Sequence, residues 1–286
     1  MKVVKQKRVA AIHDISGIGK CSLTAAIPVI SAAGIETAVM PTAVLSTHTG
    51  NIKGYTYRDL TSDLVPFYSH WKSLGVEFDG IYSGFLGSTE QVDIVCDFID
   101  EFKKDGCVVI VDPAMADSGL MYTTFSKEFA NEMIKLCRKA DIIVPNLTEA
   151  AFLLGEEYRE PPCSDEYIRD LLIRLSDIGP SMVVLTGVHT SEEEITCYVY
   201  DKNKNEFFSC KSKRYSGTYY GTGDIFASAL LGAYMNGKDI FESTEIALDF
   251  TCGAVKRTFE AGTDTRLGVN FEQGIGEYIN VLEGAK

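Results

Sequence analysis

The sequence predicts an α/β fold in which helices cover both faces of a central, mostly parallel sheet. Apolar runs short enough to be buried strands alternate with longer segments of helical periodicity along most of the chain. Several of these runs, among them VVIV and DIIVP, are uniformly hydrophobic, as expected of parallel strands that are covered on both sides. Because the sequence contains no repeat, low-complexity tract or clear linker, residues 1–286 are expected to form a single domain.

In the first third of the chain, apolar spacing and helix-terminating residues define the elements. The helix over 88–106 is the best defined, because Ser88 can cap it and Gly106 can stop it. Five apolar side chains fall on one face of this helix: Val92, Val95, Phe98, Ile99 and Phe102. The other predictions are a strand at 8–12, a helix at 22–34, extended segments at 36–45 broken by Pro41, a helix at 56–75 and a strand at 79–87.

The rest of the chain continues the alternation and ends in helices. The predicted elements are strands at 107–111 and 141–146, helices at 126–139, 147–155 and 164–177, a strand at 181–187, a hairpin of 195–202 with 206–213, and helices at 223–236, 241–260 and 271–283. In open sheets of this kind the ligand site lies at the carboxyl ends of the strands. The residues that follow the apolar strands are therefore the first candidates for function.

Composition excludes several classes of function. The net charge of −13 and the pI near 4.8 disfavour binding to nucleic acid or to an anionic membrane, so neither partner is expected. No apolar run approaches the roughly 18 residues that a membrane span requires, and the apolar part of the N-terminus is too short for a secretory signal. The eight cysteines are scattered without a C-x-x-C pair, which predicts reduced core residues and a cytoplasmic protein.

Polar side chains follow several of the predicted strands. Asp112 follows VVIV, Asn146 and Glu149 follow IIVP, and His13 and Asp14 follow the first strand. Carboxylates at one sheet edge suit Mg²⁺, which takes a few carboxylates together with water and phosphate oxygens, so Asp112 and Glu149 are candidate metal residues. Structural readings also exist: an aspartate after a strand can form a turn, and Asn146-x-x-Glu149 fits a capping box.

The segment GTGD, residues 221–224, opens a predicted helix of small and apolar residues. Free backbone N–H groups of Gly221, Thr222 and Gly223 would form an anion-binding site there, which the helix dipole strengthens. Asp224 can cap the helix, or its carboxylate can accept the proton of a hydroxyl that attacks a bound phosphoryl group. The neighbouring glycines favour the catalytic role, because a simple cap requires none.

Six motifs, in the same order along the chain, resemble the ribokinase-like superfamily and, within it, the pyridoxal (vitamin B6) kinases. They are TAVLSTHTG (42–50), IYSGFLGSTEQV (81–92), VDPAMAD (111–117), IVPNLTEAAFLLG (143–155), VVLTG (183–187) and GTGD (221–224). The resemblance implies a ribokinase-like fold, an alcohol-phosphorylating kinase that uses ATP and Mg²⁺, and a homodimer. It leaves open whether a monovalent cation is needed and which B6 vitamer is preferred.

The resemblance also implies roles for individual residues. Asp224 would deprotonate the hydroxymethyl group of the substrate, while the N–H groups of Gly221, Thr222 and Gly223 would hold the transferring phosphoryl group. The positions implied for the nucleotide are Asp112, Asn146, Glu149, Thr186, Gly187, Thr222 and Gly223, with Asp112 and Glu149 managing Mg²⁺.

On the acceptor side, the same resemblance implies that Thr49 and His48 meet the polar edge of a pyridine ring and that Phe85 packs on its face. An ungapped match places Asp14 where the pyridoxal kinases have a serine that contacts the ring. This departure matters, because an aspartate accepts from a protonated ring nitrogen or a hydroxyl and suits an aminopyrimidine equally well. Asp14 and Ser16 are therefore expected to form the floor of the acceptor pocket.

The stretch HDISGIGKCS, residues 13–22, does not fit a phosphate-binding P-loop. Cys21 follows Gly19-Lys20 where that motif requires Ser or Thr, and no glycine stands five positions before Gly19. The stretch is better interpreted as part of the acceptor pocket, with glycines that allow close approach to a ring. A plain strand-to-helix turn, capped by Ser16 or Ser22, is the structural alternative.

The sequence thus predicts a kinase that phosphorylates pyridoxal, pyridoxine or pyridoxamine, and it leaves two alternatives. The pattern D-x-S-G-x-G also resembles the hydroxymethylpyrimidine kinases of thiamine synthesis, although these usually carry Cys in place of Asp224. A non-catalytic binding protein of the same fold would be marked by loss of the base or of the metal carboxylates. Asp224, Asp112 and Glu149 are all present.

Overall fold

The computed structural model describes residues 5–122, 125 and 127–284. The strands are β1 (Arg8–Ile18), β2 (Glu36–Thr47), β3 (Tyr57–Asp59), β4 (Gly80–Ser83), β5 (Val108–Val111), β6 (Ala116–Asp117), β7 (Leu120–Met121), β8 (Ile142–Ile143), β9 (Met182–His189), β10 (Glu194–Asp201) and β11 (Glu206–Lys213). Nine of them form one sheet in the order β11-β10-β9-β8-β5-β4-β1-β2-β3. β6 and β7 pair separately as a small hairpin.

The helices alternate with the strands as the sequence predicts. They are α1 (Leu23–Ala32), α2 (Thr61–Ser73), α3 (Thr89–Phe102), α4 (Lys127–Cys137), α5 (Leu147–Leu153), α6 (Asp165–Ile178), α7 (Thr222–Met235), α8 (Ile240–Ala261) and α9 (Ile275–Leu282). Short 3₁₀ helices at Thr265–Leu267 and Glu272–Gly274 connect α8 to α9. Residue 126, where a helix is predicted to start, lies outside the described residues.

The pairing of the strands confirms the predicted fold class. The central part of the sheet is parallel and consists, in spatial order, of β2, β1, β4, β5, β8 and β9. Antiparallel strands extend both edges, β10 and β11 at one edge and β3 at the other. One hydrophobic cluster joins the sheet to α2–α6, and a second joins its other face to α1 and α7–α9. Such double coverage explains why the central strands are hydrophobic along their whole length.

β1 and β2 are longer than the sequence predicts. β1 continues past residue 12 to Ile18, and β2 runs through Pro41 without a break. Pro41 lacks a backbone N–H, and the ladder shifts between His13 and Ile15 next to the His13–Pro41 pair, so the irregularity lies where proline could not complete a regular ladder. The prediction that Pro41 breaks the strand is therefore wrong.

The predicted helix at 56–75 begins instead as strand β3, and α2 starts only at Thr61. Residues 57–59 pair with β2, from Tyr57 against Leu45 to Asp59 against Ala43, so tertiary pairing overrides the local helical periodicity. By contrast, α3 is capped as predicted, because the Ser88 hydroxyl accepts the backbone N–H of Gln91 at 3.2 Å.

The cysteines behave as the sequence predicts. All eight lie within the described residues and are unpaired, and five of them are buried: Cys21, Cys96, Cys107, Cys137 and Cys197. Among the helices of the described ranges, none has the length and apolar character to cross a membrane.

Candidate active site

The N-terminus of α7 is a turn that only glycine fits. Gly221 occupies the N-cap with a φ of +76°, and a Cβ there would lie 2.0 Å from the carbonyl oxygen of Lys20. Among the residues that the structure describes, no side chain caps α7, whereas Ser88 and Asn146 cap their own helices. The first N–H groups of α7 therefore have no side-chain acceptor, as an anion-binding turn requires.

Asp224 lies in the first turn of α7 but does not cap it. Its carboxylate faces the backbone N–H of Ser22 and the carboxylates of Asp112 and Asp14. The pKa of Asp224 is raised to about 8, chiefly by burial and in addition by the two neighbouring carboxylates, while the Ser22 N–H opposes the rise. The arrangement matches a proton acceptor that works near neutral pH better than a structural cap.

Asp112 follows β5, is 8% exposed and lies beside the turn at the start of α7. A Cβ at Gly223 would be 3.7 Å from Asp112 Oδ2, and Asp112 Oδ1 accepts the N–H of Ala114 at 3.2 Å. Burial raises the pKa of the Asp112 carboxyl well above its usual value, and the nearby carboxylate of Glu149 raises it further.

Glu149 and Asn146 form the predicted capping box at the start of α5. The Asn146 side chain accepts the N–H groups of Thr148 and Glu149 at 2.8 and 3.0 Å, and Glu149 Oε2 accepts the Asn146 N–H at 2.9 Å. The other oxygen, Oε1, accepts the N–H of Met115 at 3.0 Å, so Glu149 also anchors the loop after β5. Burial raises the pKa of Glu149 to about 7, against these N–H contacts.

Thr186 and Gly187 lie at the same edge of the sheet, in β9. The Thr186 N–H donates to the Pro145 carbonyl at 2.9 Å, next to the start of α5. Gly187 is exposed and has a φ of +68°, a left-handed conformation that glycine adopts without strain. Both residues thus lie beside Asn146, on the side where the nucleotide is predicted.

Asp14 lies in β1, toward the same edge of the sheet, and is 4% exposed. Its carboxylate lies between two serine hydroxyls. Ser22 Oγ donates to its Oδ1 at 2.5 Å, and Ser16 Oγ donates to its Oδ2 at 3.4 Å. Burial raises the pKa of Asp14, and these hydrogen bonds lower it in part. The alternative that Ser16 or Ser22 caps α1 is wrong: Ser22 occupies the N-cap position, but its hydroxyl bonds to Asp14 and makes no capping bond.

The imidazole ring of His48 is held by hydrogen bonds on both sides. Its Nδ1 accepts the Gly50 N–H at 3.0 Å, and its Nε2 donates to the Arg266 carbonyl. The Tyr220 ring lies over it at 5.1 Å between centroids. Because a backbone N–H can only donate and a carbonyl can only accept, the proton of His48 is on Nε2.

The remaining acceptor residues are partly buried at the same edge. Thr49 follows His48, and Phe85 follows β4, with its ring 5.4 Å from that of Phe125. Their contacts with a substrate ring stay predictions. A cavity of about 490 Å³ opens elsewhere, between β11, α8 and α9, and none of the predicted site residues lines it.

The structure adds residues that the sequence did not single out. Cys21 lies beside Asp224 and Asp14, and its buried thiol has a pKa raised well above the usual value. The hydroxyl of Tyr122 lies near the carboxylates of Glu149 and Asp112, and its pKa is raised by burial and by these charges. These neighbours come from segments far apart in the chain, so spacing in the sequence carries no signal for them.

Comparison with known proteins agrees with this geometry. The phosphomethylpyrimidine kinase family model matches residues 19–268. The chain belongs to this kinase family. It is therefore a phosphotransferase with an alcohol group as acceptor, as the motif order predicts.

Relatives of two named specificities are found. A structure of a Bacteroides thetaiotaomicron protein assigned to the phosphomethylpyrimidine kinases is 38% identical, with 96% of each chain covered and a TM-score of 0.92. Pyridoxal kinase from Lactobacillus plantarum is 27% identical, with 98% of this chain and 99% of that chain covered and a TM-score of 0.89. A hydroxymethylpyrimidine/phosphomethylpyrimidine kinase from Aquifex aeolicus is 27% identical over 64% of this chain and 69% of its own length.

Proposed function

We propose that this kinase uses ATP to phosphorylate the hydroxymethyl group of pyridoxal, pyridoxine or pyridoxamine. The observation that carries the proposal is the position of Asp224. Its carboxylate lies at an uncapped helix N-terminus and faces the buried Asp14. Phosphoryl transfer to an alcohol needs a phosphoryl-binding turn, a base and an acceptor pocket in that arrangement. The Bacteroides relative has been crystallised with pyridoxal, which supports the same class of acceptor here.

In this proposal Asp224 accepts the proton of the hydroxymethyl group as the hydroxymethyl oxygen attacks the terminal phosphoryl group of ATP, and the bond between that phosphoryl group and ADP breaks, so that ADP leaves. The N–H groups of Gly221, Thr222 and Gly223 hold that phosphoryl group and stabilise the charge on its oxygens. Asn146, Thr186 and Gly187 lie on the side of the nucleotide. Thr49, His48 and Phe85 orient the acceptor ring, and Asp14 with Ser16 forms the floor of its pocket.

The donor set also fits Mg²⁺, which in a kinase neutralises charge on the phosphates. Asp112 and Glu149 are two buried carboxylates, the charge of Glu149 raises the pKa of Asp112, and a cation would relieve that repulsion. The described part of the chain holds no group of three or more potential ligands, which agrees with a site completed by water and phosphate. Asp112 would hold the ion directly. Glu149, whose oxygens already accept backbone N–H groups, would act through water.

A second candidate acceptor is hydroxymethylpyrimidine. Asp14 is as compatible with hydroxymethylpyrimidine as with a B6 vitamer, because a buried carboxylate can accept a hydrogen bond from the amino group of an aminopyrimidine. The chemistry at Asp224 would be unchanged, and only the ring in the pocket would differ. A homodimer and a cytoplasmic location stay predictions of the sequence.

The acceptor is identified by ADP release with ATP and Mg²⁺ against pyridoxal, pyridoxine, pyridoxamine, hydroxymethylpyrimidine and ribose. We expect turnover with the B6 vitamers and none with ribose, because the proposed pocket offers the aromatic ring of Phe85 to the face of a flat ring, a contact that ribose does not make. If the enzyme prefers hydroxymethylpyrimidine, the proposed acceptor is wrong and the proposed kinase mechanism still stands. If ATP binds but none of the five compounds stimulates the release of ADP, the proposal is contradicted.

The pKa of Asp224 predicts a rising pH profile. A base is active when deprotonated, and burial raises the pKa of Asp224 to about 8, so the carboxylate form increases as the pH rises through that value. We expect kcat/KM for the acceptor to rise up to about tenfold per pH unit below about pH 8 and then to level off. Initial rates at saturating Mg²⁺ and ATP measure it. A flat profile between about pH 6 and pH 8 would contradict this role.

A further inference from the structure

The residue between Asp14 and Asp224 has an unusual backbone. Ser22 has a φ of +52° and a ψ of −131°, a left-handed conformation that glycine adopts readily and serine does not. Strained residues of this kind persist where the surrounding structure holds them, and they cluster at functional sites. Ser22 lies 6% exposed at the start of α1, where an ordinary cap would need no such conformation.

The strained conformation points the Ser22 hydroxyl away from its own helix. A serine at an N-cap normally accepts an N–H of the first helical turn, as Ser88 and Ser164 do in α3 and α6. Ser22 makes no such bond and instead donates to Asp14 Oδ1 at 2.5 Å. A donor on that oxygen fixes the orientation of the carboxylate and leaves its acceptor capacity directed elsewhere.

The same turn lies against the catalytic helix. The Ser22 backbone N–H faces the carboxylate of Asp224. The carbonyl oxygen of Lys20, two residues earlier in the same turn, would be only 2.0 Å from a Cβ at Gly221. On its other side, the Lys20 N–H donates to the Leu267 carbonyl at 3.2 Å. The turn is thus packed between the start of α7 and the segment after α8, with little room to adjust.

We propose that Ser22 is a positioning residue for the acceptor pocket: its hydroxyl orients the Asp14 carboxylate toward the substrate ring, and its turn sets the distance between Asp14 and Asp224. The inference rests on the proposed function, since it assumes that the acceptor ring contacts Asp14. A positioned carboxylate selects rings that present a hydrogen-bond donor there, such as a protonated pyridine nitrogen or an amino group.

Two substitutions separate this role from a merely structural one. Ser22→Ala and Ser22→Gly both remove the hydroxyl, but only glycine relieves the backbone strain. We expect both variants to raise the KM for the acceptor by about tenfold, with the KM for ATP unchanged, because each loses one charge-assisted hydrogen bond to Asp14. The glycine variant should melt at a higher temperature than the alanine variant. Ser164→Ala, which removes the ordinary cap of α6, is the control that should lower stability and leave both KM values unchanged.

A double-mutant cycle with Asp14→Asn tests whether Ser22 acts through Asp14. If it does, Ser22→Ala adds little to the acceptor KM of Asp14→Asn, although each single variant raises it. Calorimetric binding of pyridoxine and of hydroxymethylpyrimidine without ATP gives a second readout that does not depend on turnover. If the parent protein binds and phosphorylates neither compound, the proposed function fails. If the parent is active and the acceptor KM of the Ser22 variants stays at the parent value or follows their melting temperatures, the inference is overturned.

Discussion

Asp224→Asn is expected to lower kcat by roughly 10²–10⁴-fold, because it removes the proposed base and keeps the shape of the side chain. The affinity for ATP should stay close to that of the parent, since the backbone N–H groups of the α7 turn are unchanged. Thermal stability should not fall. The carboxyl is partly buried beside Asp112 and Asp14, whose charges disfavour a third carboxylate there, and an amide of the same shape carries no charge at any pH. Steady-state rates, calorimetric ATP binding and a melting curve measure the three quantities.

Asp239 provides a matched control for this variant. It is the N-cap of α8, where its Oδ1 accepts the N–H groups of Phe241 and Glu242, each at 2.9 Å. Asparagine caps helices as well as aspartate does, so Asp239→Asn should keep the parent rate and melting temperature. Parent turnover in Asp224→Asn would show that Asp224 is not the base. A lowered melting temperature together with lowered turnover would indicate a structural role.

The sequence allowed prediction of elements whose signals are local. The cap at Ser88 and the apolar face of α3 both lie within one helix, and the structure shows both. Pro41 and residues 57–59 were misread because their conformation depends on partners. Proline is accommodated by the irregularity in the β1–β2 ladder, and residues 57–59 pair with β2 although their local pattern is helical. Local rules fail where pairing with a distant strand supplies the stabilisation.

In the candidate site, too, some features could be predicted from the sequence and others depend on contacts between distant segments. Asp14 and Asp112 were predicted from the rule that ligand sites lie at the carboxyl ends of parallel strands, and Asp224 from the GTGD motif at a helix start; the structure places all three within electrostatic reach. The motif at Asn146 and Glu149 allowed both a capping box and a metal site, and the structure shows the capping box. The contact of Glu149 with Met115 spans 34 residues, so no local pattern could reveal it.

The role of Ser22 could not be inferred from its position before a helix. Its hydroxyl turns toward Asp14 because β1 continues to Ile18 and the chain must then reverse sharply into α1. Serine before a helix is usually a cap, and a statistical preference cannot detect an exception imposed by the α7 turn beside it. The physical signal is the positive φ, which exists only in the folded chain.

Gly221→Ala is the second change for which a large effect is expected. A Cβ at this position would lie 2.0 Å from the Lys20 carbonyl oxygen, which is main chain and cannot rotate away. Alanine would also have to adopt a φ of +76°, which costs about 1–2 kcal/mol before any clash. Either the loop that carries Ser22 or the start of α7 must move. We expect kcat to fall by about 10²-fold or more, because displacement of about 1 Å at a phosphoryl site has that effect.

Gly237, just beyond the other end of α7, provides a control that separates the effect of the clash from the effect of the backbone conformation. It has a similar φ of +89°, but a Cβ there would meet nothing within 4 Å. Gly237→Ala should therefore lower the free energy of unfolding by only about 1–2 kcal/mol, through the backbone conformation, and leave kcat at the parent value. Gly221→Ala should lose more stability than this control and lose activity as well. Equal melting temperatures and equal turnover in the two variants would show that the α7 turn tolerates a side chain, and the tight packing of Lys20 against Gly221 would then have no part in catalysis.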